Sequence, residues 1–350
     1  MCEFIKRIAL AAVLLLSFGG AALAGEGAND VLYIYTRQDY FDPEAIKSFE
    51  ERYNCRVEFD YYDSKDTMYE KIRYGDSGYD LVMAASLMAD RLDKQGLLQN
   101  LDRTLIPNLR HLDTTLIIAF PDLEMRYHAP YTWSVVGIGY NQTLVPPEAI
   151  GGWDIFEMPG MWGRGALIND ERYVIGAALL HLGYSPNTVE RAAIDAAVAL
   201  VQKWKESAPR FGVIETREML GKKELAFIQG YNGDIAVAER ECPDVRFYVP
   251  KEGSLINSDC FIIPFDAASP KLAHAFINHM FDPDVAARNM ERILYYMPNH
   301  AALRRVPEHV RQSPLFSISR EILSKCHAIR DTEANDDLYE EAWEKILFGD

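Results

Sequence analysis

No motif in this 350-residue chain announces covalent chemistry. It has no GxSxG turn, no HExxH helix, no P-loop and no dinucleotide fingerprint, which sets aside the common hydrolase, metalloprotease, nucleotidase and dehydrogenase patterns. Cysteine is sparse, five residues with no CxxC pair, so there is no zinc signature. Cys55, Cys242, Cys260 and Cys326 read as isolated buried thiols, although an oxidising compartment permits a disulfide and four cysteines allow three pairings. Positive charge is short too: 36 Lys and Arg face 52 Asp and Glu, a formal net charge of −16. That balance argues against nucleic acid or anionic lipid as a partner and favours small cations, which a negative field steers inward. Beyond residue 24 no stretch reaches the ~20 apolar residues of a membrane span. Internal repeats and low-complexity tracts are also absent from the sequence.

What is present begins with an export signal. Lys6 and Arg7 precede the apolar run Ile8 to Phe18, and Ala22-Leu23-Ala24 has the small-x-small pattern of a cleavage site. Cys2 precedes the apolar run and so is no lipid-anchoring cysteine; the expected product is soluble and periplasmic, with net charge −17 once Glu3, Lys6 and Arg7 are removed. The remaining length predicts two domains. Apolar and β-branched runs at 31–36, 55–62, 79–85, 164–170, 225–231, 245–250 and 260–264 read as strands. Helices are expected at 43–53, opened by Asp42-Pro43, and at 171–182, 188–206 and 270–281. This alternation implies an α/β fold with parallel sheets covered on both faces. "APYTWSVVGIGYN" (129–141) reads as a first crossing between lobes and "VPKEGSLINSD" (249–259) as the return, with the chain helical after 303. The division expected is 25–137 with 255–300 in one lobe and 138–254 with 301–350 in the other.

Ligands in hinged α/β folds sit beyond the carboxyl ends of strands. There the sequence places Arg37, Gln38, Asp39 and Tyr40, then Ser86, then Asp170 and Glu171, then Tyr231 and Asp234, with Asp259 just before the apolar run at Cys260. If these loops converge, the cleft is anionic and ring-lined, suited to an organic ammonium. Each residue also has a plainer role open to it. Asp234 fits an N-cap of a helix over "IAVAER" and Asp170 an N-cap of the helix 171–182, while Tyr35, Tyr231 and Tyr295 suit a core with a hydrogen-bonded hydroxyl. Asp259 is expected to be enclosed and to need a partner. The eight histidines do not gather near these loops; His274 and His279, five apart, read as surface or boundary residues.

"YTRQDYFDPEAIKSFEERYNCRVEFDYYDSKDTMYEKIRYGDSGYDLVMAAS" (35–86) resembles the N-terminal part of the periplasmic polyamine-binding subunits of spermidine/putrescine ABC transporters. "PYTWSVVGIGYN", "LHLGYSPNT", "PKEGSLINSDCFIIP", "FDPDVAARN" and "LYEEAWEKI" continue the likeness in order along nearly the whole chain after residue 24. The resemblance implies a two-lobed periplasmic binding protein fold of type II, with several hinge crossings, that closes on a linear polyamine without catalysis or cofactor. It further implies a monomer that hands its ligand to an inner-membrane permease.

By that resemblance Tyr35 is the stacking ring of the first strand, where the family usually has Trp, and Asp39 and Tyr40 are the acidic and aromatic pair after it. Ser86 is a polar contact, Asp170 a cleft carboxylate, and Tyr173 stands where the family has an acid. Tyr231 covers the methylenes, Asp234 takes an ammonium and caps its helix as well, Asp259 is the main ammonium anchor, and Tyr295 edges the cleft. Leu87 and Asn257 replace family aromatics. The same fold also serves ferric ion, sulfate, thiamine and aminophosphonate, and the pairs Tyr61-Tyr62 and Tyr295-Tyr296 keep iron open. A thiaminase-like enzyme would need Cys260 as nucleophile.

Overall fold

The structure, a computed structural model, describes residues 30–113, 122, 124–311, 320–330 and 336–349. The predicted export signal, residues 1–24, lies outside the described residues. Ten strands form one twisted sheet: β1 Asp30–Thr36, β2 Cys55–Tyr61, β3 Leu81–Ala85, β4 His128–Asn141, β5 Gly165–Leu167, β6 Arg210–Phe211, β7 Phe227–Tyr231, β8 Val245–Tyr248, β9 Ser254–Ile262 and β10 Cys326–Ala328. The longer helices are α1 Pro43–Tyr53, α2 Lys65–Arg73, α3 Ser86–Lys94, α4 Glu171–His181, α5 Arg191–Ser207, α6 Ile214–Gly221, α7 Asn232–Glu241, α8 Pro270–Met280, α9 Pro283–Ile293 and α10 Asp336–Phe348.

The strand order is β2-β1-β3-β9-β4-β7-β5-β6, with β10 beside β9 and β8 beside β4. At the flanks the strands are parallel, β1 with β2 and β3, and β5 with β6 and β7. The expectation of purely parallel sheets fails in the middle, where β4 and β9 run antiparallel to each other, β9 to β3, and β4 to β7 and β8. The reason is that both are long strands that change partners. Residues His128 to Val135 of β4 pair with β9, and Val136 to Tyr140 pair with β7. Strand β9 was expected from Cys260; it begins six residues earlier, because Ser254 to Asn257 pair with β10 and β4.

Alternation along the strands explains the uniformly apolar runs. Leu81 and Met83 of β3 face one buried cluster, with Phe41, Phe49, Phe261 and Phe276; Val82 and Ala84 face the other, with Trp153, Phe156, Trp204 and Phe227. A sheet covered on both faces needs no polar side, so its strands read as continuous hydrophobic stretches. Helix starts follow the local chemistry: the Asp42 carboxylate accepts from Glu44 N at 3.4 Å ahead of Pro43, and Ser64 accepts from Thr67 N at 3.0 Å. His274 and His279 are buried, each 5 % exposed, rather than at the surface. The His274 ring accepts from Asp102 N at 2.9 Å and Nε2 of His279 lies 2.9 Å from the Ala45 carbonyl, bonds that hold α8 to the first strands' helices and loops. All four cysteines of the described residues are free thiols. Among those residues no helix is long and apolar enough to cross a membrane.

Candidate functional site

The carboxyl ends of β1, β3, β5 and β7 converge with the middle of β9, and the site is built where they meet. Asp259 is at its centre, on strand β9 and not in a loop, opposite Ala85 of β3 and Thr132 of β4. Proline has no N–H for the ladder, and the register of β4 slips between Pro130 and Thr132. The slip leaves Tyr131 as the extra residue and sets Thr132 opposite Asp259.

Asp259 is 4 % exposed. It accepts a short hydrogen bond from the Tyr40 hydroxyl and one from Asn257 Nδ2 at 3.3 Å. Since Tyr40 has a single O–H and gives it to the carboxylate, the 2.8 Å contact between Tyr40 and Thr132 must be a bond donated by Thr132. Burial, then the Asp259 charge, push the Tyr40 phenol far above its ordinary range, so it stays a donor. The ring of Tyr295 lies 6.2 Å from that of Tyr40 and covers Gly233, where a Cβ would come within 2.5 Å of a ring carbon. A glycine in the first turn of α7 is therefore what admits Tyr295 to the site.

Asp234 does not cap its helix. Helix α7 starts at Asn232, three residues earlier than the pattern suggests, with Tyr231 at the N-cap position and no side-chain cap bond. The Asp234 carboxylate instead accepts from Arg217 Nη1 at 3.3 Å and from the Tyr295 hydroxyl at 3.1 Å. Burial raises its pKa and Arg217 opposes the shift. Asp170 does cap, accepting from Arg172 N at 3.0 Å, and its other oxygen accepts from Lys65 Nζ at 2.9 Å. Lys65 reaches Glu171 Oε1 as well, at 3.0 Å. Burial and the adjacent Asp170 push the Glu171 carboxyl up. Burial disfavours the charge on Lys65, but Asp170 and Glu171 outweigh it and hold the ammonium firmly protonated.

The rings of Tyr173 and Tyr231 meet edge to face at 5.4 Å and 82°. Ser86, the first residue of α3, lines a cavity of about 20 Å³ with Lys65, Asp170, Tyr173 and Asn257, room for roughly one water. Tyr35 sits to one side: its ring stacks on Tyr79 at 4.6 Å and is edge-on to Tyr62 at 5.1 Å. Asp39 is exposed in a turn with left-handed backbone, φ 58°. Two groups thus form, Tyr40, Asp259, Tyr231, Tyr295 and Asp234 on one side, and Ser86, Asp170 and Tyr173 around Lys65 on the other, with Tyr35 and Asp39 at the margin.

Sequence reasoning missed the cations. Arg37, the residue after β1, is among the strongest influences on Tyr40, Tyr62, Tyr173, Tyr231, Asp234 and Tyr295. Burial opposes its charge, but the Asp259 carboxylate favours it. Its position beyond a strand end was the available signal, passed over because an anionic cleft was expected. Lys65 and Arg217 carry no such local mark, since they arrive from the helices α2 and α6.

The adjacent tyrosines do not form a metal-binding pair. Tyr61 is 51 % exposed, whereas the Tyr62 hydroxyl donates to the Met83 carbonyl; Tyr295 bonds Asp234, whereas Tyr296 meets Trp133 edge-on at 5.9 Å. Cys260 is fully buried, donates to the Ala84 carbonyl at 3.2 Å, and has its thiol pKa pushed far up by burial. Such a thiol is a poor nucleophile.

Comparison with known proteins identifies the family. Residues 44–316 match the family described as bacterial extracellular solute-binding protein. The chain is 30% identical over 342 residues to a spermidine/putrescine-binding periplasmic protein of Escherichia coli (strain K12), covering 96% of this chain and 98% of that one. It is 28% identical over 368 residues to the putrescine-binding periplasmic protein SpuD of Pseudomonas aeruginosa (strain UCBPP-PA14), covering all of both. Among solved structures, the spermidine/putrescine ABC transporter substrate-binding protein PotD from Streptococcus pneumoniae superposes with a TM-score of 0.82 at 26% identity, covering 91% of this chain and 99% of that one.

Proposed function

The chain belongs to the bacterial extracellular solute-binding proteins, and we propose that it captures a polyamine, putrescine or spermidine, for an ABC transporter. The observation that carries this reading is the buried Asp259 carboxylate bonded by Tyr40, with the Tyr295 ring beside that of Tyr40. A carboxylate gives an ammonium charge-assisted hydrogen bonds, and ring faces attract the cation and cover its methylenes. Asp259 has two acceptor positions taken, by Tyr40 and Asn257, of roughly four on a carboxylate. The names of the relatives support the same chemistry.

The halves of the sheet on either side of the β4–β9 pair supply different walls. Tyr40 and Lys65 come from one side, Asp170, Tyr231 and Asp234 from the other, and Asp259 stands on β9 between them. A ligand touching both favours the closed arrangement, because only there are both sets of groups within reach. The closed form then docks on a membrane permease. The protein acts in the periplasm as a monomer after loss of residues 1–24, without catalysis. Calorimetry with putrescine and spermidine, alongside mass spectrometry of ligand released from gently purified protein, tests the reading. Asp259→Asn should weaken amine binding by ~2–5 kcal/mol, the range for removing one side of a buried charge pair. Unaltered affinity in that variant would count against the site.

A further inference from the structure

The cleft has an unmet demand for an acceptor as well as for a cation. Asp170 and Glu171 are bonded to Lys65, Asp234 to Arg217 and Tyr295, and Asp259 to Tyr40 and Asn257. Arg37 is met only in part, by a side-chain hydrogen bond with Tyr62. Its Nε is buried with no hydrogen-bond partner among the described residues, and its guanidinium carbon stands off the Tyr62 ring at 5.9 Å. A guanidinium presents five N–H donors and no acceptor, and one left unpaired in a buried site is costly. Arg172 also has buried unpaired nitrogens, but its guanidinium lies over the Tyr339 ring at 4.2 Å and donates to Asn187 and to the Arg330 carbonyl. Arg37 instead follows β1 directly, three residues before the Tyr40 that bonds Asp259, and the Asp259 carboxylate favours its charge.

Resting on the proposed capture of an amine, we infer that the ligand bears a carboxylate beside one of its ammonium nitrogens, Asp259 taking the nitrogen and Arg37 the carboxylate. A fork of N–H groups matches a carboxylate with two parallel bonds, which a lysine or a neutral donor at this place would not supply. The pairing also resolves a charge conflict. A plain diammonium would bring its cation against Arg37 with nothing between them, whereas an ammonium–carboxylate head lays each charge against its opposite. Ornithine is the simplest probe, being putrescine with a carboxylate next to one nitrogen. N-acetylputrescine, which offers a neutral carbonyl, is its control.

Calorimetric titration of the full-length mature protein with ornithine, putrescine and N-acetylputrescine tests this, repeated on Arg37→Gln and Arg37→Lys with a thermal melt of each variant. We expect ornithine to bind about tenfold or more tighter than putrescine, the scale of one hydrogen-bonded charge pair. Arg37→Gln should erase that preference by weakening ornithine while leaving putrescine equal or tighter, and Arg37→Lys should keep part of it. If Arg37→Gln does not fold, the Arg37→Lys titration decides alone. Putrescine bound tightly with ornithine ignored, or a preference untouched by either variant, would overturn the inference and leave polyamine capture standing. N-acetylputrescine matching ornithine would overturn the carboxylate. Binding of none of the three, nor of spermidine, would overturn the proposed function and this inference together.

Discussion

The pair Asp259 and Arg37 offers a stability measurement independent of any ligand. Asp259→Asn keeps one oxygen and replaces the other with an NH2 group. If the oxygen stays on the Tyr40 hydroxyl, the new NH2 meets Asn257 Nδ2, donor against donor; if the amide turns over, Tyr40 loses its acceptor. Turning a charge-assisted bond into a neutral one costs about 1 kcal/mol. Arg37 then keeps its charge without the carboxylate that held it. Stranding a fully buried partner costs ~3–5 kcal/mol, and Arg37 is only half-buried, so about 1–2 kcal/mol is the reasonable share here. The total, about 2–3 kcal/mol, corresponds to a melting temperature lower by roughly 4–12 °C at ~2–4 °C per kcal/mol.

Arg37→Gln should be milder, since Asp259 retains both its hydrogen bonds. The double variant removes both charges and should be about 1 kcal/mol or more better than the sum of the two singles. Urea melts of all four proteins measure that coupling. Additivity within ~0.3–0.5 kcal/mol would refute the claim that these residues hold each other.

Three further outcomes follow from the same coordinates. Gly233→Ala gains ~1 kcal/mol of helix propensity, but its Cβ would lie 2.5 Å from the Tyr295 ring, so a net loss of about 1–2 kcal/mol with weaker amine binding is expected, checked by melting and titration. Lys65→Met strands Asp170 and Glu171, whose side chains are 14% and 24% exposed; a loss of ~1–3 kcal/mol at pH 7 is expected. Because burial raises the Glu171 pKa, that loss should shrink as pH falls through it, visible as a urea midpoint that recovers on acidification. His181 has its pKa raised above 6.5 by its bond to Glu252, against burial and with Glu157 adding to it. Its contribution is therefore complete below pH 6.5 and lost as pH rises through the higher folded value, and His181→Gln should flatten the melting temperature between pH 6 and pH 8.

Much of the fold is legible in composition and period. The runs around Leu81 and Phe227 are too apolar for a wet face and become strands buried on both sides, and Asp42-Pro43 opens α1 where it should. The placement of carboxylates and rings past strand ends follows from the same pattern. What local pattern hid was the partnering. Asp234 looks like an N-cap, yet α7 begins three residues sooner because Tyr231 ends β7 and turns directly into the helix. Asp259 looks like a loop residue before a strand, yet β10 and β4 extend β9 back past it.

The amino-acid order by itself placed carboxylates and tyrosines past the strand ends of an α/β scaffold, because side-chain alternation and strand-end placement are properties of neighbours along the chain. Only the tertiary structure decided that this site carries its own cations. Lys65 meets Asp170 across 105 positions and Tyr40 meets Asp259 across 219. A Coulomb or hydrogen-bond partner is chosen by distance in space, and no local period encodes a distance of that kind.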